Sequence, residues 1–173
     1  MSYLHSGKVG VLLELNSETD FVARDSSFKA FADMLANTGL TANTSDVATL
    51  MSQKTSGVTC EAARETLVTK IGENIQARRM TTITATGLNY YLHGDRIGVL
   101  VALDKHNVEL AKDVAMHIAA SNPIAIDAKG ISSNILAKER EIGTAQAQQS
   151  GKPAHIIEKM VEGRLQKFVQ EVC

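Results

Sequence analysis

The chain has 173 residues, with 18 lysines and arginines against 19 aspartates and glutamates, and its formal net charge is −1. Because the charges balance, no overall field draws the chain to nucleic acid or to anionic lipid, and neither is expected as a partner. Hydrophobic residues make up 44% of the chain, which predicts a folded protein and excludes a disordered one. Two cysteines are too few for a disulfide framework, and no apolar run has the length of a membrane helix.

A repeat of thirteen residues organises the chain. Residues 3–15 align without a gap on residues 91–103, at a constant offset of 91 − 3 = 88, and seven of the pairs are identical. Each copy is typical of a β-hairpin, because Ser6 and Gly7, or Gly94 and Asp95, suit a two-residue turn before an apolar strand. The strand before the first turn is the shorter one, so we expect the chain to be a fragment or a shortened relative of something longer.

An amphipathic helix is predicted after each hairpin. After the first, Asp25 is the expected cap and Gly39 is expected just past the helix end. The apolar face of this helix holds Phe28, Phe31, Ala32 and Leu35. After the second hairpin, Asn107 is the expected cap and the helix stops before Pro123. Its apolar face holds Leu110, Val114, His117 and Ile118, so we interpret His117 as a hydrogen-bonded core histidine rather than a ligand.

Three further elements are predicted between the two copies. Thr44 or Ser45 begins a short helix, and Thr59 begins a second helix that runs to about Ile75. Residues 76–86 are rich in threonine and isoleucine, which is typical of a strand.

The last third of the chain contains no strand signals. Two helices are predicted over residues 133–149 and 153–172, and a short turn between them makes an antiparallel helical hairpin. Each helix carries one narrow apolar stripe, formed by Ile135, Ile142 and Ala145 in the first and by Ile157, Met160, Val161, Leu165 and Phe168 in the second. Such stripes make little core, so we expect a projecting, coiled-coil-like hairpin that packs against a partner or a second copy.

These elements predict an α+β fold with antiparallel sheets. We divide it into a first subdomain over residues 1–86, an incomplete second subdomain over 87–131 and the helical hairpin over 132–173. Each subdomain consists of a β-hairpin with its helix, and the helical hairpin serves as a dimerisation or packing module.

Few residues suggest covalent chemistry. Four carboxylates lie close together in the sequence, at Glu14, Glu18, Asp20 and Asp25. Their spacing matches no metal-binding loop, and we interpret them as a solvated loop that caps a helix. A nucleophilic pair of Cys60 with a histidine is a more distant alternative, and no metal or cofactor is expected.

Phe21 lies beside Asp20 in a polar turn between a strand and a helix. In one interpretation it folds back as a hydrophobic staple on the following helix. In the other it stands at a loop tip and inserts into another protein. The spacing alone leaves both interpretations open.

Five blocks of the sequence resemble the elongation factor Ts family of bacteria and organelles. They are residues 16–25, 70–75, 91–94 with 96–100, 115–120, and 151–153 with 158–163. The blocks stand in the family's order and span nearly the whole chain. The resemblance implies two similar subdomains followed by a helical hairpin, in agreement with the repeat and the predicted helices.

The resemblance also implies a function. Members of this family are guanine nucleotide exchange factors that bind elongation factor Tu and promote GDP release without covalent chemistry, in the cytoplasm or in an organellar matrix. By this resemblance the GTPase is bound by Asp20, Phe21, Ile71, Gly72 and His93, with Asp20 and Phe21 intruding beside its Mg²⁺ and switch region. The family's N-terminal helical module and its C-terminal end have no counterpart here. The alternative is a truncated module that binds the GTPase, or itself through the helical hairpin, without exchanging nucleotide.

Overall fold

The computed structural model describes the backbone of residues 2–6 and all of residues 8–173. The chain forms two compact units, Met1–Ala119 and Ala120–Cys173. The strands are β1 (Ser2–Ser6), β2 (Val9–Asn16), β3 (Lys54–Thr55), β4 (Val58–Thr59), β5 (Gln76–Thr84), β6 (Gly87–His93) and β7 (Ile97–Leu103). The helices are α1 (Asp20–Arg24), α2 (Ser26–Ala42), α3 (Val47–Ser52), α4 (Cys60–Ile71), α5 (Val108–Ser121), α6 (Ser133–Gln148) and α7 (Ala154–Val172). Helices and small antiparallel sheets together make this an α+β protein, as predicted.

The first predicted hairpin is confirmed, and a third strand extends it. β1 and β2 are antiparallel and pair Ser6 with Val9, while β5 pairs with the other edge of β2. The turn was predicted at Ser6 and Gly7, but Ser6 belongs to β1, and Gly7 lies outside the described residues. β2 is therefore a central strand, and its alternate residues Val11, Leu13 and Leu15 are buried.

The main core lies where α2 packs against this sheet. The predicted apolar face of α2 is confirmed, and Asp25 caps the helix by accepting hydrogen bonds from the backbone N–H groups of Ser27 and Phe28. The predicted end at Gly39 is wrong, because α2 continues to Ala42 and ends at Asn43 in the left-handed conformation, with φ 48°. Gly39 is buried inside the helix, where a Cβ would overlap the Cε of Met80. The glycine therefore serves close packing rather than termination.

The segment between the copies is more divided than predicted. α3 begins after Asp46, whose side chain caps it, one residue beyond the expected start. Two strands that we did not predict, β3 and β4, pair before α4. Thr59 caps α4 as expected, but that helix ends at Ile71 rather than Ile75 because Gly72 adopts a left-handed φ of 82°.

The second predicted hairpin, β6 with β7, is also confirmed. His93 pairs with Ile97, so the loop holds three residues instead of the predicted two, and Gly94 takes the left-handed φ of 57°. Asn107 caps α5 as predicted. His117 is exposed, so its interpretation as a core histidine is wrong.

The face of α5 that packs inward differs from the predicted one. Its buried residues are Ala111 and Ala115, and Val114 and Ile118 pack beside them. Leu110, which was expected in this face, is 49% exposed. The small alanines let the helix approach the strands more closely than the larger residues of the predicted stripe would allow.

The two copies meet within the first unit at Gly10 of β2. A Cβ on Gly10 would lie 2.7 Å from Leu100 Cδ1 and 2.9 Å from Leu88 Cδ2. The absence of a side chain at Gly10 therefore leaves room for the apolar residues of the second hairpin.

The second unit contains the predicted helical hairpin. α6 and α7 begin and end within one residue of the predicted bounds. Their contact is made by Ala147, Val161 and Leu165, with Ile157 packed beside them. Ile142, Ala145 and Met160 are exposed and do not belong to this contact as expected. Among the described residues, no helix is long and apolar enough to cross a membrane.

Candidate functional site

Phe21 lies on α1, a single short helix between the central strand β2 and the long helix α2. It is 80% exposed, whereas its neighbour Val22 is buried in the main core. The interpretation of Phe21 as a staple on the following helix is therefore wrong. A solvent-exposed phenylalanine that stands beside a buried valine is the geometry expected of the inserting alternative.

Thr19 begins α1 and organises its first turn. Its Oγ1 accepts a hydrogen bond from the backbone N–H of Val22 at 3.4 Å. Asp20 pairs with Arg24 one turn later, at 3.2 Å. Both side chains of this ion pair are largely exposed, so the carboxylate of Asp20 is accessible beside Phe21.

A carboxylate from another part of the chain fixes this turn. Glu73 accepts a hydrogen bond from the backbone N–H of Thr19 at 3.0 Å and another from Thr19 Oγ1 at 2.7 Å. In return, Glu18 accepts a hydrogen bond from the backbone N–H of Asn74 at 3.3 Å. The segment after α4 is thus joined to the start of α1.

These bonds bring four of the five predicted residues into one region. Ile71 ends α4 and packs its half-buried side chain against the main core. Gly72 is exposed, and its N–H donates to the carbonyl of Val68 at 2.8 Å. Because Glu73 follows directly, Ile71 and Gly72 adjoin the turn that carries Asp20 and Phe21.

The fifth residue, His93, lies at the end of β6 in the second copy. It is exposed, and its Nδ1 is 3.1 Å from the hydroxyl of Tyr91. No contact joins His93 to Phe21 among those described. The loop that follows it comes closer, because Lys29 at the start of α2 forms an ion pair with Asp95 at 3.1 Å.

An open cleft of about 490 Å³ lies between that loop and the start of α1. Its lining includes Glu18, Thr19 and Asp20 on one side and Asp95 and Arg96 on the other. Glu14 and Leu15 of the first copy therefore share a cleft with Asp95 and Arg96 of the second. Its walls combine charged and apolar side chains, since Leu15, Ala23 and Phe28 also line it.

The carboxylates near this cleft are held by specific partners. Glu14 lies within β2 rather than in the predicted solvated loop, and it bonds Arg79 Nε at 2.5 Å and Arg78 Nη1 at 3.3 Å. The hydrogen bond from Arg79 holds the pKa of Glu14 below its ordinary value. Backbone N–H groups of Phe28 and Ser27 lower the pKa of Asp25 in the same direction.

Cys60 lacks the surroundings of a nucleophile. It is fully buried in the main core, and burial raises the pKa of its thiol. A reactive thiolate needs the opposite shift and access to solvent. In the part of the chain that the structure describes, no group of three histidine, cysteine, aspartate or glutamate side chains is arranged to hold a metal ion.

The sequence reasoning missed Glu73 and Thr19 as parts of this site. The two residues are 54 positions apart, so no local pattern joins them. The nearest signal was the pair Gly72 and Glu73, in which a helix-ending glycine is followed at once by a carboxylate.

Comparisons with known proteins show sequence similarity to one family. A family model described as Elongation factor TS matches residues 18–173. Over 164 residues, the chain is 52% identical to elongation factor Ts of Francisella tularensis subsp. novicida, covering 94% of this chain and 57% of the relative. Elongation factor Ts of Coxiella burnetii is 51% identical over 169 residues, and that of Legionella pneumophila is 50% identical over 167 residues. The chain spans 57% of the length of these relatives.

Proposed function

The chain belongs to the elongation factor Ts family, and from this premise we propose that it is a guanine nucleotide exchange factor. It binds elongation factor Tu and promotes the release of GDP during translation elongation, in the cytoplasm or, in a eukaryote, in the organellar matrix. It makes and breaks no covalent bond and needs no cofactor. The observation that carries the proposal is the exposed Phe21, held on a turn that the rest of the first unit fixes in place.

Phe21 has the properties of an anchor in a protein interface. An exposed aromatic side chain that enters a desolvated pocket of a partner can contribute about 2 to 4 kcal/mol to binding. Val22 is buried and Thr19 is hydrogen-bonded to Glu73, so the backbone that carries Phe21 loses little freedom when Phe21 is bound.

Asp20 complements this anchor by its charge. Its carboxylate lies at the start of α1 and is neighbour to Phe21, so it enters the same region of the GTPase. A negative charge there repels the phosphates of GDP and competes for the groups that surround the Mg²⁺ ion. Ile71 and Gly72 contact the GTPase beside this pair, and His93 supplies a separate contact from the second copy.

Exchange follows from a difference in affinity. The factor lowers the affinity of the GTPase for GDP only if it binds the nucleotide-free form more tightly than the GDP form. This coupling is reciprocal, so a factor that weakens GDP binding about 10⁴-fold is itself weakened to the same extent by GDP, a coupling of about 5.5 kcal/mol. Phe21 supplies part of this difference by occupying space that bound GDP and Mg²⁺ require. Asp20 supplies the rest by placing a negative charge in the same region.

A second candidate function is a binding module without exchange activity. The exposed Ile142 and Met160 on the helical hairpin favour it, since apolar residues at such positions suit contact with a second copy. In this alternative the chain binds the GTPase, or dimerises through the hairpin, and leaves the rate of GDP release unchanged.

Release of a fluorescent GDP analogue from elongation factor Tu tests the proposal. We expect the wild-type chain to accelerate release, and we expect Phe21→Ala to reduce the stimulated rate about tenfold with an unchanged thermal unfolding midpoint. Val58→Ala is the matched control, because Val58 is also an exposed apolar residue of the first unit but lies on β4. Full stimulation by Phe21→Ala would contradict the proposal, and binding of the wild type without acceleration would favour the second candidate.

A further inference from the structure

We propose that Glu73 is a positioning residue of the exchange surface. Its carboxylate holds the N-terminal cap of α1 and thereby fixes the direction in which the Phe21 side chain projects into solvent. This inference rests on the proposed function, and it assigns a role to a residue that the sequence patterns did not single out.

The hydrogen bonds of Thr19 carry the inference. Thr19 donates its backbone N–H to one oxygen of Glu73 and its hydroxyl hydrogen to the other, at 3.0 and 2.7 Å. The same hydroxyl oxygen accepts from the backbone N–H of Val22. The carboxylate therefore orients the hydroxyl so that its oxygen accepts from the first turn of α1, at the residue next to Phe21.

α1 needs such support because it is short. It contains five residues, of which Val22 is buried in the main core and Ala23 packs against it. A helix of this length is not stable by itself in water, since the cost of nucleating a turn is repaid by too few hydrogen bonds. Hydrogen bonds to a carboxylate are charge-assisted and stronger than neutral ones, so Glu73 makes a substantial contribution to holding the turn.

Glu73 is itself held on a rigid base. Before it, Gly72 closes α4 in the left-handed conformation, with its N–H bonded to Val68. Two residues after it, Ile75 is fully buried in the main core. The backbone at Glu73 is therefore fixed on both sides. Through its hydrogen bonds with Thr19, the carboxylate in turn holds the start of α1 in place.

Positioning and direct contact with the GTPase make different predictions. If Glu73 acts through Phe21, its removal has little further effect once Phe21 is an alanine. If Glu73 instead contacts the GTPase directly, the fold reductions in stimulated GDP release caused by the two substitutions multiply. A double-mutant cycle in stimulated GDP release therefore separates the two roles.

The variants are Glu73→Ala, Glu73→Gln and Phe21→Ala with Glu73→Ala. Loss of two charge-assisted hydrogen bonds should reduce stimulated GDP release about fivefold in Glu73→Ala, with Glu73→Gln between it and the wild type because the amide keeps one acceptor oxygen. When Phe21 is already alanine, Glu73→Ala should lower the rate of stimulated GDP release by less than about a further twofold. Glu65→Ala is the control, because Glu65 is an exposed glutamate of α4, the helix that precedes Glu73. Thermal unfolding checks that every variant is folded.

A second readout keeps this inference separate from the proposed function. Hydrogen exchange of the Thr19 and Val22 backbone amides reports the order of the α1 cap without any GTPase. We expect Glu73→Ala to speed both exchange rates about tenfold or more and Glu65→Ala to leave them unchanged. Unchanged protection in Glu73→Ala, or multiplying losses in the double variant, overturns the positioning role. If the wild-type chain does not stimulate GDP release, the proposed function is overturned. Hydrogen exchange of the Thr19 and Val22 amides then still decides whether Glu73 holds the α1 cap.

Discussion

The two copies of the repeat both form a β-hairpin, but the two hairpins pack against cores of very different size. The first copy supplies β2, the central strand of a three-stranded sheet, and its residues Val11, Leu13 and Leu15 belong to a core with fourteen buried residues among those whose side chains the structure describes. The second copy supplies β7 in a two-stranded sheet, and the described part of its core has three buried residues, Val101, Ala111 and Ala115. A shared sequence of thirteen residues therefore specifies a local structure but not the packing around it.

The difference comes from elements that lie outside the repeat. In the first copy, β5 pairs with β2, and α3 and α4 add Leu50, Cys60 and Leu67 to the core. The second copy has α5 alone, which contributes small alanines. A two-stranded hairpin with one helix is marginal by itself, so the second copy depends on its contact with Gly10 of the first.

The greatest loss of stability is expected when a valine of the first copy is shortened. We compare Val11→Ala with Val99→Ala, which is the same change at the equivalent position of the second copy. Val11 is fully buried and Val99 only partly, at the edge of the small core. Val11→Ala should lower the free energy of unfolding by about 2 to 3 kcal/mol and Val99→Ala by about 1 kcal/mol, because the cost rises with burial and with the cavity left behind. Denaturant unfolding measures both. Equal losses would show that the two copies share one core.

The next prediction compares the contacts that we propose for each copy with elongation factor Tu. Phe21 follows the strand of the first copy, whereas His93 belongs to the second. We expect His93→Ala to reduce stimulated GDP release about threefold, less than Phe21→Ala, because contacts at the rim of an interface carry less energy than a central aromatic anchor. Release kinetics of the two variants, run side by side, check this order. A larger loss in His93→Ala would place the main contact on the second copy.

The smallest effect concerns Glu14, whose equivalent in the second copy is Ala102. Glu14 joins β2 to β5 through Arg78 and Arg79. The pKa of Glu14 is lowered from its ordinary value of 4.5, mainly by the hydrogen bond from Arg79. The unfolded chain therefore binds this proton more readily than the folded one, and the stabilisation is present above about pH 4.5 and lost as the pH falls through the lowered pKa.

Glu14→Gln should thus destabilise the chain by less than about 1 kcal/mol at neutral pH, since both arginines are largely exposed. The difference from the wild type should shrink as the pH falls below about 4.5. Urea unfolding across this pH range measures it. A difference that is independent of pH would mean that the carboxylate contributes by packing and not by its charge.

The sequence was sufficient for local structure and insufficient for packing across the chain. Caps at Asp25 and Asn107 and both hairpins were predicted correctly, because each depends on residues that are close in sequence. Gly39 and His117 were misread because their roles depend on what packs against the helix. Met80 occupies the space over Gly39, and the face of α5 that packs inward uses Ala111 and Ala115, so His117 faces solvent.

The candidate site shows the same division. Asp20 and Phe21 were found from a short motif in a polar turn, although the spacing could not tell a staple from an exposed side chain. The exposure of Phe21 decides between them, since a staple would bury its side chain against the following helix. Glu73 was missed because its partner Thr19 is distant in sequence, and only the folded chain brings the two together.

We propose that the chain opens the nucleotide site of elongation factor Tu, and its affinity for the two forms of that GTPase tests this proposal most directly. Titration calorimetry would measure binding of the wild-type chain to nucleotide-free elongation factor Tu and to the same protein with saturating GDP. We predict binding to the nucleotide-free form that is weaker by about 100-fold or more with GDP present, because coupling between the two ligands is reciprocal. Equal affinity with and without GDP would contradict exchange and leave a module that only binds.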